Sequence, residues 1–194
     1  MKKLLIFLAV SFSPLFAFPA YPLETVATET ETHSVTTEAT ITIPKDWKFA
    51  SYPMPLEGAS NFRITFHELR FAITGLPFVA NSNPMFSKYV IKPESYVAQA
   101  LADPMLQYVR DADKSFHSTP FTGSGYVGAY VTYRSSTGKP VFNVFPGKLY
   151  ACVTTAAIKT EKTIFSISIA SDECDGNEHT AAISALKSFA IING

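Results

Sequence analysis

Four histidines, two cysteines and one glycine-rich hexapeptide are the residues of this 194-residue chain whose types and spacing could do chemistry. Gly123-Ser124-Gly125-Tyr126-Val127-Gly128 fits G-x-G-x-x-G letter for letter. Such a loop cradles a pyrophosphate only where it follows a strand and opens a helix, because the free N–H groups of the helix start must face the anion. The aromatic and β-branched run from Tyr126 to Tyr133 predicts a strand after it instead. The hexapeptide therefore reads as a turn entering a strand, and no cofactor is expected. His67-Glu68 opens as a zinc-protease motif does, but Phe71 stands where the second histidine is needed. His33, His67, His117 and His179 share no short ligand spacing, so no metal site is expected and the histidines read as solvated or at the core edge. No G-x-S-x-G elbow occurs and carboxylates are sparse through the β-rich region. No catalytic residue is assigned; a site assembled only in space, around His67 or His117, stays open.

How Cys152 and Cys174 are read depends on the start of the chain. Met1-Lys2-Lys3 is followed by an apolar run from Leu4 to Val10 that continues through Phe12 towards Pro14. That order of positive and apolar regions predicts a secretory signal peptide over residues 1–17, with cleavage at Ala17 or, alternatively, at Ala20. The apolar run falls short of the ~20 residues a bilayer span needs. The domain is thus expected in the periplasm or outside the cell, with no membrane attachment after cleavage. In such a compartment an isolated cysteine pair defaults to a disulfide. A redox pair or a metal site fits less well, since the spacing is not C-x-x-C and no histidines stand at ligand spacing.

Without residues 1–17, the chain keeps 14 basic against 16 acidic side chains, a net charge of −2. That excludes a strongly basic nucleic-acid binder. About 175 residues remain, enough for one domain with a real core.

The elements that must position these residues follow from periodicity. Residues 18–38 are dominated by Thr and Glu and read as an exposed linker or a polar edge strand, with the domain running from 39 to 194. Ile41 and Ile43 alternate with Thr40 and Thr42 before Pro44-Lys45-Asp46-Trp47, a strand into a turn. Phe62, Ile64, Phe66, Phe71 and Ile73 predict one strand, bent near Leu69. A long irregular connection follows from Leu76 to Lys92, then helical spacing from Pro93, restarted by Asp103-Pro104. After His117 the period is two: strands over Tyr126–Arg134 and Val141–Val144, then a hairpin of Leu149–Ile158 with Ile164–Ala170. His179–Ser188 reads as an amphipathic helix with Ala182, Ile183 and Leu186 inward. Few helices among hairpin-linked strands predict an α+β domain, a mostly antiparallel sheet flanked by helices.

Within that frame the heavy aromatic content, 16 Phe and nine Tyr, is cheapest to place in a sheet core. Trp47, Tyr126 and Tyr130 are nevertheless the candidates for a binding groove, with core packing as the competing reading of each.

Three segments together resemble the PsbP-like family, whose fold also occurs in the Ran-binding protein Mog. They are the strand into a Pro-x-x-Trp turn (TITIPKDW), the last hairpin (LYACVTTAAIKTEKTIFSISIAS) and the closing helix (AAISALKSFAI). The resemblance spans roughly Ala39 to Ile192 and implies an α/β/α sandwich and a non-enzymatic role in binding or assembly. It transfers no binding residue. The expectation is an exported binding or adaptor domain whose partner is another exported protein. An inhibitor or immunity protein against an exported enzyme, and a hydrolase assembled in space, are the alternatives.

Overall fold

The computed structural model describes residues 29–77, 92–100, 108 and 118–192. The expected signal peptide, most of the Leu76–Lys92 connection, the stretch restarted at Asp103-Pro104 and His117 lie outside the described residues. In chain order the elements are β1 (Thr30–Ser34), β2 (Ala39–Pro44), β3 (Lys48–Tyr52), β4 (Ser60–Phe66), β5 (Leu69–Pro77) and α1 (Pro93–Ala100). Then come β6 (Thr119–Gly123), β7 (Tyr126–Arg134), β8 (Phe142–Phe145), β9 (Lys148–Tyr150), β10 (Cys152–Lys159), β11 (Thr163–Ser171), α2 (Asn177–Lys187) and β12 (Ala190–Ile191).

Seven strands form one antiparallel sheet in the order β3-β4-β5-β11-β10-β7-β6. Alternation sorts its side chains onto two faces. Phe62, Ile64, Phe71, Ile73, Ile158, Ile167 and Ile169 point to one face and pack with Ile41 and Ile43 of β2 and Ala182, Ala185 and Leu186 of α2. On the opposite face Ala129, Val131, Tyr133, Val153 and Ala157 meet Val97 of α1 and Phe142 and Tyr150 of the β8–β9 hairpin. β10 and β11 lie at the centre with both faces covered: β10 is buried along nearly its whole length, with Thr154 and Thr155 among its residues, whereas β11 still alternates Phe165, Ile167 and Ile169 with Ser166 and Ser168.

Two features depart from the sequence reading, and a third decides between two alternatives it left open. The apolar series from Phe62 to Ile73 is two strands, because His67-Glu68 makes a two-residue turn between Phe66 and Leu69. His67 adopts φ 43°, a conformation for which glycine or asparagine is the usual signal, and neither is present. Of the two readings of the Thr/Glu-rich stretch, the polar edge strand holds for residues 30–34, which form β1 at the edge of a second sheet, and Val35 directly after it is fully buried. Ordered structure thus begins before Ala39. That second sheet, β1-β2-β12, covers part of the large sheet that helices alone were expected to flank. It can do so because Ala39, Ile41 and Ile43 turn one face of β2 fully inward.

The hexapeptide of glycines is a hairpin. β6 ends at Gly123, Ser124 and Gly125 turn the chain with Gly125 at φ 79°, and Tyr126 starts β7. No helix follows, and the ring of Phe121 lies against Gly128, where an added Cβ would meet Phe121 Cζ at 2.6 Å. Phe121 and Gly128 are cross-strand partners, so the third glycine makes room for an aromatic ring.

Candidate functional site

A concavity lies where β7 runs beside α2. Tyr130 and Thr132 of β7 form its floor, and Ile183, Ser184 and Lys187 of α2 form its wall, around a volume of about 440 Å³. Period two along β7 puts Tyr130, Thr132 and Arg134 on the same side, and helical spacing puts Thr180, Ile183, Ser184 and Lys187 along one flank of α2. The Lys187 ammonium sits 5.6 Å over the centre of the Tyr130 ring, a cation–π contact that fixes both at the rim. At the far end Arg134 holds the Asp175 carboxylate in a two-pronged pair.

Behind the groove His179 is almost fully buried, at 2 % exposure. Its Nδ1 lies 2.8 Å from Ser171 Oγ and its Nε2 lies 2.8 Å from Thr154 Oγ1. Ser171 already donates its hydroxyl hydrogen to the Glu173 carbonyl at 2.9 Å. The imidazole must then carry its proton on Nδ1 and accept from Thr154 at Nε2. Thr154 in turn accepts from Thr132 Oγ1 across the β7–β10 pair, at 2.6 Å. Burial, reinforced by the nearby Arg134 guanidinium, pushes the His179 pKa down to about 4. At neutral pH this is a neutral, doubly satisfied histidine that fixes the start of α2 against the sheet.

Cys152 and Cys174 are joined in a disulfide. Cys152 Sγ is 3.6 Å from His179 Nε2 and Cys174 borders the groove. The bond ties the first residue of β10 to the loop that leads into α2, so sheet, loop and helix are fixed together at this end of the groove.

Of the three residues proposed from sequence, one faces this groove. Tyr130 does; Trp47 and Tyr126 are core residues, at 6 % and 8 % exposure. Trp47 stacks on Phe66 before β3, at one edge of the large sheet, whereas Tyr126 sits edge-on to Phe189 beside β6, near the other edge. Their aromatic faces are consumed by packing. The α2 contribution, His179, Ile183 and Lys187, was not singled out as a site. Its signal was present in the helical spacing of His179 with Ala182 and Leu186, which put an imidazole on the inward face.

His67 pairs with a carboxylate supplied by α2: its Nδ1 is 3.0 Å from Glu178 Oε1. Next to it Lys148 spans from Glu68 to Asp172, 2.9 Å from the latter, which lowers the Glu68 pKa and raises that of Lys148. These exposed pairs clip the β4–β5 turn to β9 and α2. Among the described residues no group of three or more His, Cys, Asp or Glu side chains could hold a metal ion.

The arrangement of strands and helices has a solved counterpart. The solution structure of cyanobacterial PsbP (CyanoP) from Synechocystis sp. PCC 6803 superposes over 90 % of this chain and 100 % of that one, with a TM-score of 0.53 and 9 % identity. The fold is PsbP-like. A crystal structure from Bacteroides thetaiotaomicron also aligns, over 80 % of this chain and 45 % of that one, at 11 % identity and a TM-score of 0.37. No protein-family model and no curated protein sequence matches the chain. At such identities the PsbP-like likeness speaks for the path of the backbone alone.

Proposed function

We propose that this PsbP-like chain is an exported binding domain that recognises another exported protein through the β7–α2 groove. The observation that carries the reading is the groove itself: aromatic, aliphatic, hydroxyl and cationic groups stand at its surface, while the one histidine behind it is buried and has both ring nitrogens engaged. Tyr130 and Ile183 offer apolar contact, Ser184 a hydroxyl and Lys187 a charge. Such a mixture suits a protein surface. Export is supported by the Lys-Lys start with its short apolar run and by the formed Cys152–Cys174 disulfide.

Capture from a periplasmic extract tests the reading. The wild-type domain should retain a partner that Tyr130→Ala and Ile183→Asp lose, at unchanged circular dichroism. A partner retained equally by both variants, or turnover of a substrate with no partner captured, overturns it.

A second reading, a hydrolase assembled in space, draws on the His67–Glu178 pair, since a carboxylate-oriented imidazole at the surface is the core of many acid–base sites. An esterase or phosphatase activity abolished by His67→Ala and by Glu178→Gln would favour it over the binding reading.

A further inference from the structure

The outward face of β3, β4 and β5 carries a cluster of cations that the groove does not use. Phe49, Ile64 and Phe71 pair across these strands on the core side. Alternation therefore sends the next row, Lys48, Thr65 and Arg70, to the other side, followed along the strands by Ala50, Arg63 and Ala72. Lys48 and Arg63 are exposed and Arg70 is half-buried. Among the described residues no carboxylate pairs with any of the three. Elsewhere Lys45, Lys148 and Lys162 each hold a glutamate.

Two of the three are nevertheless held in place, by neutral groups. Arg63 lies over the Tyr52 ring, 4.9 Å from its centre. Arg70 Nη1 donates to the His67 and Leu69 carbonyls at 2.7 and 2.8 Å. A guanidinium fixed by an aromatic face or by one nitrogen keeps its remaining donors, and its full charge, for a second partner. The face runs into a depression of about 480 Å³ bordered by Lys48, Thr65, His67 and Arg70. Its acidic neighbours are Asp46 at the rim of that depression and Glu68 at the turn, and Glu68 is already engaged by Lys148.

We infer that this face docks an acidic, extended segment of a partner protein, whose carboxylates are taken by Lys48, Arg63 and Arg70. Strand spacing sets the backbones of Lys48 and Arg70 ~10 Å apart and Arg63 ~7 Å further along β4. Carboxylates on alternate residues of an extended segment also recur every ~7 Å. An anionic bilayer fits less well: around the three cations the outward face is Thr, Ala and Asn with one exposed aromatic, Tyr52, whose ring is already covered by Arg63. The inference is independent of the groove on the opposite side of the sheet.

The experiment uses the whole chain and a fluorescein-labelled peptide of alternating Glu and Thr, with a Gln-Thr peptide as reference. Anisotropy should show saturable binding of the Glu peptide only, weakening as salt rises. Lys48→Glu with Arg63→Glu should reduce affinity about tenfold or more. Lys139→Glu with Lys162→Glu, which changes net charge equally on other surfaces, should leave it within about twofold. If the double reversal disturbs the circular dichroism, Lys48→Gln with Arg63→Gln replaces it, with a smaller loss expected. Equal losses in both pairs, no binding of the Glu peptide, or binding only to phosphatidylglycerol vesicles would each overturn the inference.

Discussion

At the scale of single residues, His179 is the group whose charge the fold cannot accommodate. Its pKa is near 4 in the folded chain against ~6.5 when unfolded, so between those values the unfolded state holds a proton that the folded state refuses. Stability is complete above pH 6.5 and falls as the pH drops through that window, by about 2 kcal/mol at pH 5 and about 3 kcal/mol near pH 4. Urea midpoints at pH 7 and pH 5 should record the fall. His179→Gln should begin less stable, through lost bonds to Thr154 and Ser171, yet lose little further between the two pH values; an equal fall in the variant would assign the pH dependence to other groups. Tyr133 is the other buried polar residue of note. Burial raises its pKa, and its hydroxyl has no partner among the described residues, so Tyr133→Phe should cost no stability and could add to it. Thermal unfolding of that variant is the direct check.

At the scale of elements, the disulfide and the β6–β7 hairpin carry separable predictions. Replacing both Cys152 and Cys174 by alanine frees a loop spanning 22 residues of sequence and should lower the unfolding free energy by about 3 kcal/mol. Gly128→Val forces a side chain into the Phe121 ring and should cost about 1–3 kcal/mol in denaturant unfolding. A strand-to-helix phosphate loop would place its strictest demand at the turn glycines instead. The elements differ in how openly the sequence announced them. β7, β11 and α2 were legible because each keeps one period over nine or more residues. The β4–β5 hairpin was hidden because its turn has neither Gly nor Asn, and the alternation of Phe62, Ile64 and Phe66 carries on through Leu69, Phe71 and Ile73 once two residues are skipped. β12 was hidden by size, since two residues cannot display a period. The groove was half legible. Tyr130 could be named from its strand, but the wall opposite depends on α2 crossing beside β7, a pairing that no local pattern encodes.

At the scale of the whole molecule, the two sheets and α2 depend on one another through contacts between distant parts of the sequence. Ser188 Oγ accepts from the backbone N–H of Thr42, 146 positions away, and shares its own hydrogen between the Thr42 carbonyl and that of Ala185 in α2, and Ile192 N–H donates to the Glu38 carbonyl at 2.7 Å. A chain ended after Gly176 would leave Ile41, Ile43 and Phe165 without Leu186 and Phe189 above them. It should show no cooperative thermal transition, whereas the full chain should show one; a sharp transition in the shortened chain would place the organising contacts elsewhere.

The clasp of residues 188–192 over β2 also sets a timetable. β2 precedes every strand of the large sheet along the chain, but β12, one of its two neighbours, follows the last of them. Its inward isoleucines, Ile41 and Ile43, find their native partners in the large sheet and α2 only after those later segments have been synthesised. A polypeptide built this way cannot complete its fold prematurely. The second sheet closes only after every strand of the large sheet has been made, an order of assembly fixed by the path of the chain.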